Sequence, residues 1–201
     1  MELLAFGDTG WGDELLLSMV MTILVSTSSL AFGLIIGTIF ASFKLSNSYI
    51  LKAIAEFYTT VVRGVPELLV IYLLFFGGSG AVMYVAKIFG HMGYIELSPF
   101  TIGTIAVGAI SGAYSTEVIR GAILAVPKGQ FEAAQTLGMA KYAMSFKVIF
   151  PQVARLALPG IGNVWQVTLK DTALISVTGL VEIMRQSKIA AGSTHEPFIF
   201  Y

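Results

Sequence analysis

Stretches without a single charge alternate with short polar segments along this chain. No Asp, Glu, Lys or Arg stands between Leu15 and Phe43, between Leu68 and Ala86, or between Leu97 and Thr116. A helix crossing the hydrocarbon core of a bilayer needs about 20 mostly apolar residues, and each stretch is long enough. The pattern predicts a first span from about Leu15 to Ser42, ending at Lys44. After a polar turn at Asn47, a second opens near Phe57 and runs to Phe76, where Gly77, Gly78 and Gly80 interrupt the helical pattern. The third extends from about Ser98 to Gly121, the fourth from Pro151 towards Thr178, and Pro197 to Tyr201 reads as the first turn of a fifth. The expected fold is therefore an all-α polytopic membrane bundle, four spans plus the start of a fifth, forming one domain over residues 1–201.

Composition agrees. Charged residues make up 12% of the 201 positions and hydrophobic ones 56%, about half the charged share of a soluble domain. Zero net charge gives no footprint for nucleic acid. The absence of cysteine rules out disulfides, thiolate metal sites and cysteine nucleophiles together. His91 and His195 fall in expected outer loops without a neighbouring ligand set, so no metal site is expected. No Ser-His-Asp set or paired ligand spacing offers a catalytic residue.

Charge distribution orients the bundle. Glu2, Asp8, Asp13 and Glu14 precede the first span, where a cleavable signal would carry Lys or Arg. That places the N-terminus outside the cytoplasm. The inner segments then hold Lys44, Lys52, Arg120, Lys128, Lys141, Lys147 and Arg155, against Lys87, Arg185 and Lys188 in the outer ones. This asymmetry follows the positive-inside rule.

Ionisable groups in a span cost roughly 2.5–3.5 kcal/mol each on insertion scales, so they require a reason. Arg63 and Glu67 stand four apart, and Glu117 three before Arg120, spacings that allow intrahelical neutralisation. The other reading places them on a translocation path or gate. Lys170 and Asp171 are adjacent and point apart, in a span where Pro159, Gly160 and Gly162 are expected to break the helix. Asn163, Trp165 and Gln166 would line the same cavity; alternatively Lys170 and Asp171 lie at the outer interface. Gly33 and Gly37 form one GxxxG, Gly108 and Gly112 another, which supports a bundle without naming partners.

The segment 126–150 is too polar to span and too rich in helix formers for a plain loop. Pro127 and Gly129 make a turn, Phe131 to Leu137 favours a helix, and Gly138 sits where a C-cap glycine closes it. A second short helix from about Lys141 to Ile149 leads into Pro151, so the segment reads as a cytoplasmic knob.

Here the sequence resembles a known family. Glu132, Ala133 and Ala134, then Gly138, then Val148, Ile149, Phe150 and Pro151 are similar to the EAA loop of ABC importer permeases. Tyr58 to Thr60 with Arg63 to Leu68 resembles the second-span signature of the polar amino-acid branch. Gly112 to Tyr114 with Glu117, Arg120 and Gly121, and Leu158 to Asn163 with Leu169 to Leu174, resemble its third and fourth spans. The likeness is greatest to the Q-type subunits of basic amino-acid and opine uptake systems.

The resemblance implies a bundle of the MetI-like ABC importer permease type in a bacterial inner membrane. It implies that Glu132, Ala133, Ala134, Gly138 and Pro151 dock on a cytoplasmic ATP-binding subunit dimer. It further implies a second permease subunit, identical or related, a periplasmic or external solute-binding protein, and a polar solute, either an amino acid (a basic one foremost) or an opine. Members usually continue through another span after the segment matching Glu196, Pro197 and Phe198. The chain has no GxxxxGK[ST] loop, so ATP falls to the partner and no cofactor to this subunit. The rival is an ion-coupled secondary carrier. It would use Glu67, Glu117 or Asp171 for proton or sodium coupling and leave the knob unexplained.

Overall fold

The computed structural model describes residues 2–7, 10–88 and 98–201, and these are helical almost throughout. Asp8 and His91 lie outside the described residues. Helix α1 (Gly12–Leu45) has 34 residues, about 51 Å at 1.5 Å per residue, so it outreaches a hydrocarbon core of about 30 Å. Asp13 and Glu14 in its first turn and Lys44 in its last each oppose the partial charge of that helix end.

Along one face of α1 the buried positions Ser29, Gly33, Gly37 and Ala41 recur every fourth residue. They meet a matching small-residue face on α5 (Pro99–Ala125), where Gly108, Ser111, Gly112 and Ser115 are buried. The two GxxxG motifs are thus each other's partners. A Cβ on Gly37 would stand 2.7 Å from Ser115 Cβ and 3.1 Å from the Ser115 carbonyl carbon, and one on Gly33 would collide with Ser111 Oγ. The approach lets Ser111 Oγ donate to the Ser29 carbonyl at 3.2 Å. Close packing and interhelical hydrogen bonds supply the attraction that apolar surface cannot supply in lipid.

The second apolar stretch breaks earlier than its hydropathy predicts. Helix α2 (Tyr49–Gly64) stops at Val65, which is extended with φ −101° and ψ 141°. Pro66 follows, and α3 (Glu67–Tyr72) starts immediately after it. Proline disfavours the helical region for the residue before it and has no N–H to donate. Gly77, Gly78 and Gly80, the expected breakers, do not end the helix. The chain runs through a π-helical turn, Leu73–Gly77, into α4 (Gly78–Ile88). A glycine costs a helix about 1 kcal/mol and a proline about 3, and the larger cost decides.

After α5 come α6 (Lys128–Thr136) and α7 (Lys141–Met144). From α7 the helix continues without a gap through a π turn, Ser145–Ile149, into α8 (Phe150–Ile175). The π turn sits just before Pro151, with the Phe150 N–H bonded to the Ser145 carbonyl five residues back. This widening admits a residue that cannot donate to the ladder. The break expected at Pro159, Gly160 and Gly162 does not occur, and α8 is continuous through Pro159. One proline removes one helical bond, and the packed neighbours hold the remainder. Gly160 lies so close to α5 that a Cβ there would reach Val118 Cγ1 at 2.6 Å.

Val25, Ile71, Ala106, Val107, Ile110, Ile175 and Leu180 form the main core where α1, α3, α5 and α8 meet. Helices α9 (Ile183–Thr194) and α10 (Pro197–Phe200) close the described chain. The fully buried Glu182 caps α9, accepting from the Met184 and Arg185 amides at 2.9 and 2.7 Å. Among the described residues three helices are long and apolar enough to cross a membrane: Gly12–Leu45, Glu67–Tyr84 and Pro99–Ala125. Helix α8 has the length, 26 residues or about 39 Å, but carries Arg155, Lys170 and Asp171.

Candidate functional site

The break between α2 and α3 concentrates charge. Arg63 stands in the last turn of α2 and Glu67 in the first turn of α3, each at the helix end whose partial charge it opposes. The intrahelical Arg63–Glu67 pair expected from spacing is not formed, because the break separates the two helices. Both side chains instead reach Tyr114 of α5. The Arg63 guanidinium lies over its ring, 5.4 Å from the centroid. The Tyr114 hydroxyl makes a long contact with Glu67 Oε1 at 3.4 Å. From α8, Asp171 completes the group. It is 6% exposed and faces Glu67 where α3 packs against α8.

Arg63, Glu67 and Asp171, three residues expected on a path, therefore converge from three helices. Sequence reasoning assigned no role to Tyr114, although a hydroxyl-bearing aromatic among small residues in a charge-free span was a readable signal. Tyr114 is 15 residues from the start of α5 and 11 from its end, so the group sits near the middle of that span, about 22 and 17 Å from its ends.

Lys170 points elsewhere. On α8, Val164, Thr168, Asp171, Thr172 and Ile175 form the packed face. Asn163, Gln166 and Lys170 are exposed and, at i, i+3 and i+7, share a different face. None of the three bonds to another described side chain. The stripe covers about 10 Å of helix.

Glu117 and Arg120 belong to a second group, further along α5. Their expected pair is present, with Arg120 Nη2 at 2.9 Å from Glu117 Oε2. The other Glu117 oxygen accepts from Lys44 Nζ of α1, and Lys44 also reaches Glu56 Oε2 of α2 at 3.0 Å.

In the knob, α6 ends in a Schellman motif. The Met139 N–H bonds to the Ala134 carbonyl at 3.1 Å and the Gly138 N–H to the Gln135 carbonyl at 2.9 Å. Gly138 holds φ +69°, a left-handed conformation that costs other L-residues roughly 1–2 kcal/mol and that proline cannot adopt. Glu132 and Ala133 face outward, while Ala134 is buried. The second knob helix does not end at Ile149 but is the beginning of the rod that becomes α8. Among the described residues no group of three or more His, Cys, Asp or Glu is arranged to hold a metal, and His195 ends α9 with φ +59°.

A family model described as a binding-protein-dependent transport system inner membrane component matches residues 33–194. The nopaline transport system permease protein NocQ of Agrobacterium fabrum is 54% identical over 202 residues, covering 100% of this chain and 86% of its own. The histidine/lysine/arginine/ornithine transport system permease protein HisQ of Escherichia coli K12 is 42% identical over 191 residues, with 95% and 83% covered. A crystal structure of an amino acid ABC transporter with histidines superposes with a TM-score of 0.75 at 32% identity, covering 94% of this chain and 84% of that one.

Proposed function

This chain belongs to the family of binding-protein-dependent transport system inner membrane components, and we propose that it passes a basic amino acid or an opine along a path lined by Arg63, Glu67, Asp171 and the exposed stripe of α8. It is an inner-membrane permease subunit of an ABC importer, not an enzyme. A separate subunit hydrolyses ATP, and a binding protein delivers solute.

The observation that carries this reading is the meeting of Glu67 and Asp171 beside a broken helix. Irregular backbone at membrane depth is tolerated only against protein or along a cavity, and half-helix ends there serve as ion sites. Paired carboxyls suit a guanidinium or ammonium head through charge-assisted hydrogen bonds, and Arg63 suits the carboxylate that an amino acid also bears. Relatives named for transport of lysine, arginine and ornithine handle solutes with such a cation. The stripe Asn163, Gln166 and Lys170 supports the path independently. Polar side chains turned away from their own bundle need water or a second subunit rather than lipid. That subunit is identical or related, and Glu117 with Arg120 guards the cytoplasmic end.

The topology follows. The N-terminus lies outside, α1, α3 with α4, α5 and α8 make four spans, and α10 begins a fifth. The knob 126–150 then faces the cytoplasm, where Glu132, Ala133, Ala134, Gly138 and Pro151 dock on the dimer of ATP-binding subunits. Its support is mechanical: α6 is closed by a Schellman turn, and α7, which follows it, runs without a gap into α8, so displacement of the knob reaches the stripe.

The test is the complete importer in proteoliposomes with its binding protein, using L-arginine, L-histidine, nopaline and octopine as probes. Uptake of at least one is expected to require internal ATP and the binding protein. Gly138→Pro should lose both the co-purifying ATP-binding subunit and uptake. Uptake driven by a proton or sodium gradient without ATP, by the chain alone, contradicts the assignment.

A further inference from the structure

One side chain at the end of α1 joins three helices: Lys44 reaches Glu56 midway along α2 and Glu117 two turns before the end of α5. Lys44 stands in the last turn of α1 with its side chain only 5% exposed, yet its ammonium contacts carboxylates on two other helices. The arm to Glu56 is open to solvent, with Glu56 64% exposed, and ion pairs of that kind contribute little. The arm to Glu117 is sheltered: Glu117 is 23% exposed and held on its other oxygen by Arg120 at 2.9 Å. Removing Glu117 leaves the sheltered Lys44 ammonium with only the solvent-exposed Glu56, and removing Lys44 leaves Glu117 with Arg120 alone. The Lys44–Glu117 contact is therefore the decisive one.

Its position gives it a consequence. The knob hangs on two helices, with α5 leading into it after Ala125 and the α7–α8 rod leading out from Lys141. Any displacement of the knob pulls on both. Helix α5 is tied by Glu117 to α1, and through Lys44 to α2. The rod packs against α5 and α1 through small and apolar residues but carries no comparable ion pair. Among the described residues, Lys141, Lys147 and Arg155 in its cytoplasmic part form no ion pair. The two arms of the knob thus differ in how they are held, α5 by ion pairs as well as packing and the rod by packing.

We propose that Lys44 is a positioning residue for transport, clamping α5 to α1 and α2 through Glu117 and Glu56 so that knob motion is delivered to α8. The proposal rests on the reading of the knob as the docking site for the ATP-binding subunit. If the clamp is lost, α5 follows the knob together with α8, their relative displacement shrinks, and ATP is spent with less solute moved.

The experiment measures ATP hydrolysis and L-arginine uptake in parallel on the complete importer in proteoliposomes, with co-purification of the ATP-binding subunit as the assembly control. Lys44→Met is expected to assemble and to hydrolyse ATP near the parent rate, while uptake per ATP falls at least fivefold. Lys44→Arg, which keeps the charge and its reach, is expected to stay within twofold of the parent. The Lys44→Met/Glu117→Gln double variant should lose less than the two single variants combined, because the Lys44–Glu117 contact is removed in each of them. A parent-like ratio in Lys44→Met overturns the proposal. So does a loss of uptake matched by an equal loss of hydrolysis and assembly, or additive losses in the double variant. A parent importer that moves none of the probe solutes on ATP refutes the underlying functional reading instead.

Discussion

Asp171→Asn is expected to lower ATP-driven uptake of L-arginine or L-lysine by the complete importer about 10- to 100-fold, and Glu67→Gln by a similar factor. The estimate takes each carboxylate as one hydrogen bond to a charged group, worth about 1.5–3 kcal/mol. The two variants are nearly isosteric and leave α3 and α8 in place, so assembly with the ATP-binding subunit should persist. Their effects should not multiply. Glu67 and Asp171 adjoin one another, and groups that share a partner couple strongly. Rates measured with saturating binding protein keep delivery constant, so the change reports the membrane step. Parent-like uptake in Asp171→Asn would remove the carboxyl pair from the path.

A larger effect on the fold is expected from Gly37→Leu. The Cβ alone would stand 2.7 Å from Ser115 Cβ and 3.1 Å from backbone atoms of Ser115 and Thr116. Overpacking a well-filled site costs typically about 1–3 kcal/mol, and a leucine adds three more carbons against backbone that cannot rotate away. Helices α1 and α5 must then separate along the face that also carries the Ser111–Ser29 hydrogen bond. We expect little monodisperse protein after detergent extraction of Gly37→Leu, and a lowered melting temperature for Gly37→Ala. Gly121→Ala is the control. It lies in α5, the helix that Gly37 packs against, with nothing within 4 Å of its Cβ position, and replacing a helical glycine there should be neutral or stabilising. Equal melting temperatures for Gly37→Ala and Gly121→Ala would mean that the small-residue face does not set the packing.

Much of this molecule was legible because bilayer and helix physics leave marks at short range. The charge-free runs located α1 and α5. Gly138 announced its turn, since a left-handed C′ position is among the few local geometries that nearly demand one residue type. The polar composition of 126–150 separated the knob from its flanking spans. Errors came where two local rules competed or where distance intervened. Hydropathy ran on past Pro66, although the proline outweighed the three glycines further along, and the same weighting exaggerated Pro159 in a helix supported on its packed side. The Arg63–Glu67 spacing suggested one helix face because the break between them went unread. Lys44 and Glu117 are 73 positions apart, and no periodicity connects residues that meet only after α1 and α5 have packed. Tyr114 was passed over for a related reason, since its role depends on neighbours from two other helices.

The absence of cysteine from the chain makes the path directly measurable. Single cysteines at Asn163, Gln166 and Lys170, and at the exposed apolar positions Leu17 and Leu158, would be treated with a charged, membrane-impermeant thiol reagent in the assembled importer. Labelling at Asn163, Gln166 and Lys170 is expected to be at least tenfold faster than at Leu17 and Leu158, and to slow when transported solute is present. Equal, slow labelling at all five positions, unaffected by solute, would contradict a solute path along α8.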